Sequence, residues 1–150
     1  MSITVRRATA ADQTTLIEYN YAIAYETEHK RLDEMTLARG VAAALADAAK
    51  GFYLVAEIAG QVVGQLMITT EWSDWRNGLF WWIQSVYVRP SARKQGVFRS
   101  LFQEAERLAK AAGDVVGLRL YVERDNVNAQ RTYESLGMSN AAYLVFEKTC

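Results

Sequence analysis

A chain of 150 residues with 51% hydrophobic content fits one domain, residues 1–150, and can bury about 70% of its unfolded surface. Lys plus Arg equal Asp plus Glu at 17 each, a balance that argues against a nucleic-acid binder, which needs a basic excess. One cysteine, Cys150, and one histidine, His29, support no disulfide framework, no metal site and no thiol nucleophile. No apolar run is long enough to span a membrane and the start lacks a signal-peptide core, so a cytoplasmic protein is expected.

Ile3 to Arg7 alternates like a strand. Thr9, with Asp12 three residues on, signals a helix start. Leu16, Ile17, Ile23 and Ala24 then share one helical face. Asn20 falls on that stripe and needs a backbone group, a water or a ligand as partner. The charged stretch from Tyr25 to Glu34 reads as a solvated connection; alternatively Glu26 and Glu28, beside Tyr25, form an acidic rim for a cationic substrate. Thr36 caps a second helix through Leu37, Val41, Ala44, Leu45 and Ala48, ended by Gly51. Two strands follow, 52–58 and 61–70, joined at Ala59-Gly60 as an antiparallel hairpin.

All four tryptophans fall between positions 72 and 82. Residues 71–78 read as a loop. Trp72, Trp75 and Trp82 there suggest a walled pocket with Glu71 and Asp74 at its mouth. A hydrophobic minicore or a dimer contact explains the cluster as well. The strand from Phe80 to Val88 alternates, with Trp82, Gln84, Val86 and Val88 on one face and Trp81, Ile83, Ser85 and Tyr87 on the other. Both faces are largely apolar, so the strand is expected to be covered on both sides.

Arg89 to Phe98 is a basic loop before a helix. Helix-start amides have no intrahelical partner and attract anions, Arg93 and Lys94 add charge, and Gly96 permits close approach. The helix buries Phe98, Leu101, Phe102, Ala105, Leu108, Ala109 and Ala112, and Gly113 stops it. Leu118 to Val122 is the next strand. A strand–helix–strand unit of this length implies a parallel pair with a right-handed crossover, so the basic loop lies at a strand's C-terminal edge, where such sheets bind ligands. A short helix from Asn126, with Ala129, Thr132, Tyr133 and Leu136 on one face, precedes Gly137 and a final strand, Ala142 to Lys148.

Asn-x-x-Ala-x-x-x-Tyr-x-x-x-Gly-Met (Asn126 to Met138), following Arg-x-x-Gly (Arg93 to Gly96), resembles the GNAT-type N-acetyltransferase superfamily, and the element order matches over the whole chain. The resemblance implies a mixed α/β (α+β), mostly antiparallel central sheet with a central parallel pair, flanked by about four helices. It implies acetyl-CoA as co-substrate, without a metal, and a primary amine as acceptor. The family's pyrophosphate loop maps to Arg93, Lys94, Gln95, Gly96, Val97 and Phe98, and its pantetheine-pairing strand to Val86 and Val88. The cofactor-contacting asparagine is Asn126, and the general acid is Tyr133. An amine attacking a thioester, a strand amide steadying the oxyanion and a phenol protonating the thiolate suit these residue types. Phe98 departs from the family's Gly or Ala. A strand glutamate that serves some members as base has no counterpart near Trp82, which leaves Gln84 through a water, or Glu71 or Asp74, to take the proton. Asn20, Tyr25, Glu26, Glu28, Trp72, Asp74, Trp75 and Trp82 are the candidate acceptor residues. A non-catalytic acyl-CoA-binding module is the alternative, and a homodimer is compatible with the family's tendency to pair.

Overall fold

The structure, a computed structural model, describes residues 2–150. Five strands form one sheet in sequence order: β1 (Ile3–Arg7), β2 (Phe52–Ile58), β3 (Gln61–Ser73), β4 (Gly78–Val88) and β5 (Val115–Leu120). The first three pairings are antiparallel and β4–β5 is parallel. Four α-helices accompany them: α1 (Gln13–Glu28), α2 (Glu34–Ala46), α3 (Val97–Ala112) and α4 (Val127–Ser135).

β2 is apolar almost throughout because both of its faces are covered. Leu54 and Ala56 join Leu66, Ile68, Trp81 and Ile83 under the buried stripe of α3, which is Val97, Leu101, Phe102, Ala105 and Ala109. Tyr53 and Val55 face the other way, against Leu16 of α1 and Val41 of α2. An apolar stripe on one helical face and alternation on the strands thus build a helix–sheet–helix sandwich.

Local chemistry sets the helix starts. Asp12 accepts the Thr9 backbone N–H at 2.7 Å, and Arg6 clasps Asp12 at 2.8 Å and Glu57 at 2.7 Å. This network ties β1, β2 and the approach to α1. The Arg6 guanidinium holds the Asp12 carboxyl below its ordinary pKa. The cap of α2 is Asp33 rather than Thr36: the Asp33 carboxylate accepts both the N–H and the hydroxyl of Thr36, at 2.9 and 2.7 Å. One carboxylate oxygen, Oδ2, has lone pairs for both donors.

Three expectations are corrected. β3 runs to Ser73, so Glu71 and Trp72 lie on a strand and only residues 74–77 make the turn. The faces of β4 change phase, because a bulge opposes Ser85 and Val86 to Leu66 alone. Ser85 is left-handed at φ 50°. Tyr87 therefore joins the face of Trp82 and Gln84, its ring 5.0 Å from Tyr19 of α1, while Val86 and Val88 pack on the α3 side. Finally, residues 139–150 form no strand, and β5 ends the sheet.

Candidate active site

The parallel pairing of β4 with β5 stops at Ile83–Leu120, although β4 continues to Val88. Residues 84–88 thus turn an unpaired backbone edge toward the gap where β5 has diverged. The bulge sits in this stretch and is held from behind. Gln65, fully buried on β3, donates from Nε2 to the Ser85 carbonyl at 2.9 Å. A buried amide in a β-rich segment was the only sequence signal for this residue, and it was missed.

A turn of 3-10 helix, Pro90–Ala92, carries the chain from β4 to α3. Lys94 (φ 63°) and Gly96 (φ 85°) are both left-handed and wrap the backbone around the helix start. The first internal bond of α3 is Ser100 N–H to the Gly96 carbonyl, which leaves the preceding amides without helical acceptors. The space beside the Gly96 Cα is open. Gly64 lets α3 come close: a Cβ there would meet Val97 Cγ1 at 2.8 Å.

Tyr133 of α4 reaches the same place. Its ring lies 5.7 Å from that of Phe98, edge to face. Burial pushes the Tyr133 phenol above its ordinary pKa because a phenolate loses solvation there. Phe98 turns its ring onto Phe102 and Tyr133, so the family departure becomes a packing contact. Asn126 caps α4, its Oδ1 accepting the Ala129 N–H at 3.1 Å.

Arg93 is engaged elsewhere. Its Nε donates to the Val88 carbonyl at 2.7 Å, and Nη2 pairs with Glu26 at 3.1 Å. The Tyr87 hydroxyl stands 3.4 Å from the same Glu26 carboxylate. Glu26 is therefore paired with Arg93 rather than standing free. Glu28 lies 3.9 Å from Lys30. Tyr25 is 68% exposed and makes an edge contact with His29. Asn20 is satisfied within α1, donating to the Leu16 carbonyl at 2.9 Å.

The tryptophans do not gather into one pocket. Trp81 enters the core against Phe52, while Trp72 and Trp75 are 59% and 89% exposed. Strand alternation separates Trp81 from Trp82, and the early turn carries Trp75 outward. Asp74 is spent in that turn, accepting the Trp75 N–H at 2.9 Å. Trp82 instead stacks on Tyr121 at 4.5 Å and donates from Nε1 to Glu71 at 2.9 Å. Arg119 completes the group, 3.0 Å from Glu71 and 3.6 Å above the Phe80 ring. Gln84, two residues along the same face, donates to the Thr69 hydroxyl at 2.6 Å. Arg119 and Tyr121 were not anticipated; a charged residue inside the apolar strand Leu118–Leu120 was the available sign. Among the described residues no group of three acidic, histidine or cysteine side chains could hold a metal.

The family model for the acetyltransferase (GNAT) family matches residues 14–138. The chain belongs to the GNAT acetyltransferase family. This GNAT protein is accordingly an acyltransferase, of a family that uses acetyl-CoA and acts on amines. A possible acetyltransferase from Clostridium difficile 630 is 45% identical, with a TM-score of 0.92 over 100% of this chain and 99% of that one. Glucosamine-6-phosphate N-acetyltransferase from Arabidopsis thaliana shares the fold at 16% identity, with a TM-score of 0.77 over 99% of each chain. An aminoglycoside acetyltransferase from an uncultured soil sample does so at 19% identity, with a TM-score of 0.75 over 100% of this chain and 99% of that one. No curated protein matches the chain. No helix among the described residues is long and apolar enough to cross a membrane.

Proposed function

We propose that the chain, as a single domain over residues 1–150, transfers an acetyl group from acetyl-CoA to a primary amine by direct attack in a ternary complex. One observation carries this reading: the 5.7 Å contact of Tyr133 with Phe98. It brings the only phenol of α4 to the start of α3, joining the candidate proton donor to the candidate phosphate cradle across 34 intervening positions of sequence.

The residues suit CoA. The amides opening α3 lack helical acceptors, the space at Gly96 is open, and residues 89–99 carry four cationic side chains and no carboxylate. Acetyl-CoA, when bound, supplies the acyl group as an activated thioester. Gly96, Val97 and Phe98 would hold its pyrophosphate through their amides, with Lys94, Gln95 and, once released from Glu26, Arg93 beside them. The unpaired edge at Val86 and Val88 would pair with the pantetheine arm, and Asn126 would flank it. An N–H of the bulge at 85–86 would be the strand amide available to polarise the thioester carbonyl.

Tyr133 keeps its proton at neutral pH, since burial raises its pKa, and can donate it from Oη to the departing sulfur. The Gln84 carbonyl oxygen remains an acceptor for the amine or a bridging water, because only its nitrogen is spent on Thr69. Glu71 already accepts from Trp82 and Arg119, so it orders the aromatic wall rather than serving as base. The acceptor would lie over Trp82 and Tyr121 and could be a small-molecule amine, an amino-acid derivative or a protein amine.

The test is thiol release from acetyl-CoA across a panel of amines, amino acids, aminoglycosides and peptides. Release with one class, abolished in Tyr133→Phe, is expected. Tight acetyl-CoA binding with no transfer to any acceptor at several pH values would instead establish an acyl-CoA-binding module.

A further inference from the structure

Among the described residues, tyrosines aside, Asp12 and Gln65 are the buried polar side chains. Asp12 is engaged by Arg6 and the Thr9 amide. Gln65 is only half engaged. Its Nε2 donates to the Ser85 carbonyl at 2.9 Å, while its Oε1, equally buried, has no partner among the described residues. The side-chain amide cannot be turned round, because only its nitrogen can donate to a carbonyl. One neutral hydrogen bond contributes no more than a buried unpaired acceptor costs. A methionine, similar in length and free of that acceptor, would fit beside Val55 and Tyr87, the register partners of Gln65 on β2 and β4. Core stability alone therefore does not account for a glutamine here.

What Gln65 holds is one peptide group. The Ser85 carbonyl and the Val86 N–H share a planar trans unit, since the described residues contain no cis peptide bond, and in such a unit the two point in opposite directions. Gln65 takes the carbonyl from the β3 side. The Val86 N–H is thereby turned away from β3, to the side on which β5 stops pairing after Ile83–Leu120. Neither Ser85 nor Val86 has a register partner on β3. Ser85 is left-handed at φ 50°, a conformation disfavoured for a residue with a Cβ, so the unit keeps this orientation only while its surroundings hold it. A donor on the carbonyl also polarises the whole unit and makes its N–H a stronger donor.

We propose that Gln65 is a positioning residue: through the Ser85–Val86 peptide it aims and strengthens the Val86 N–H as the donor to the acyl carbonyl of acetyl-CoA. This role rests on the acetyltransferase reading and deepens it. Gln65 itself lies behind the strand and touches neither substrate. Charge gathers on the acyl oxygen as an amine attacks, and a donor fixed beforehand needs no reorganisation at that moment. The unpaired Oε1 is stability given up for that alignment.

Gln65→Met tests this, with Gln65→Leu as a second variant lacking the donor. Urea unfolding should give midpoints equal to or above that of the unaltered chain, and a large loss in both variants would make Gln65 a structural residue and overturn the proposal. In the ligand-free protein, labelled with nitrogen-15 valine, the Val86 amide proton should move upfield in Gln65→Met, as a less polarised unit requires. The infrared carbonyl band of bound acetyl-CoA, labelled with carbon-13 at that carbonyl, should lie at higher frequency in the variant. The kcat should fall about ten- to a hundredfold, less than the ~10²- to 10³-fold for deleting such a donor, while the KM for acetyl-CoA stays within about twofold. An unchanged carbonyl band and kcat, with acetyl-CoA still bound, would overturn the proposal and leave the acetyltransferase reading standing. No binding of acetyl-CoA to the unaltered chain in calorimetry would overturn that reading and the proposal with it.

Discussion

From Gly96 to Tyr133 the site is made of backbone and one phenol; from Glu71 to Tyr121 it is made of side chains that already satisfy one another. The cofactor half offers free helix-start amides and the open edge of β4 at 84–88. Apart from the Val88 carbonyl, which accepts from Arg93 Nε at 2.7 Å, those groups are left over by the fold. In the acceptor half, Glu71 holds Trp82 and Arg119, and Arg119 lies on Phe80. An acceptor there must compete with contacts already made. Under the proposed function the difference locates specificity: the cofactor half would recognise a constant ligand through main chain, while the acceptor half could change its ligand by changing side chains.

The contrast can be broken most sharply at Tyr133. Tyr133→Phe keeps the ring against Phe98 and removes the proton, so turnover should fall roughly 10²- to 10⁴-fold. The KM for acetyl-CoA should change little. In the unaltered enzyme, activity that depends on this proton should persist up to the ordinary tyrosine range, about pH 10, and decline only above it, since the folded-state value is raised. Steady-state kinetics over pH for both proteins would check this, and equal turnover with chemistry rate-limiting would remove the acid role.

Gly64→Ala probes how the scaffold places the cradle. The added Cβ meets Val97 Cγ1 at 2.8 Å, so α3 must shift at its first turn. Overpacking of this kind costs about 1–3 kcal/mol, measurable by urea unfolding, and the KM for acetyl-CoA should rise while the acceptor KM holds.

Asp12→Asn serves as the control remote from both halves. It weakens the clasp with Arg6 and should cost about 1–2 kcal/mol of stability with both KM values unchanged. The folded state holds Asp12 ionised at pH values where the unfolded chain would protonate it. Its contribution is therefore complete above the unfolded value near pH 4 and is lost as the pH falls through the depressed folded value. Acid titration of stability should be shallower in the variant.

Arg119→Met should have the smallest effect on folding, under about 1 kcal/mol, because its partner Glu71 is half exposed and screened. Its signature is selective: the acceptor KM should move several-fold and the acetyl-CoA KM should not. If the acetyl-CoA KM moves instead, the two halves are not separate.

The elements of the proposed cofactor half were legible because their signals are local. Arg93 to Gly96 before an amphipathic helix, and Asn126 to Met138 as a capped helix with Tyr133 on its inner stripe, are patterns of neighbouring residues, and helix periodicity is enforced by nearby backbone geometry. The proposed acceptor half was less legible for the opposite reason. Trp72, Trp75 and Trp82 are close in sequence, but a two-residue strand period and a turn at 74–77 scatter them. The partners that organise Trp82, namely Arg119 on β5 and Tyr121 just after it, lie more than thirty-five residues away.

Composition and periodicity alone determined the helix–sheet layers, the parallel crossover from β4 to β5 and the basic loop, since each rests on apolar spacing or local charge, while the family followed from the resemblance carried by the contiguous motifs Arg93 to Gly96 and Asn126 to Met138. Tertiary structure alone decided four things. The bulge at Ser85, pinned by Gln65, sets which way Tyr87 and Val86 face, because one extra residue reverses strand parity. The Glu26–Arg93 pair engages one carboxylate of the stretch that the sequence offered as a solvated connection or an acidic rim. Phe98 meets Tyr133 because α3 and α4 converge. The segment 142–148, a strand by its residues, stays unpaired because a strand needs a neighbour's backbone, and pairing is a property of two segments rather than one.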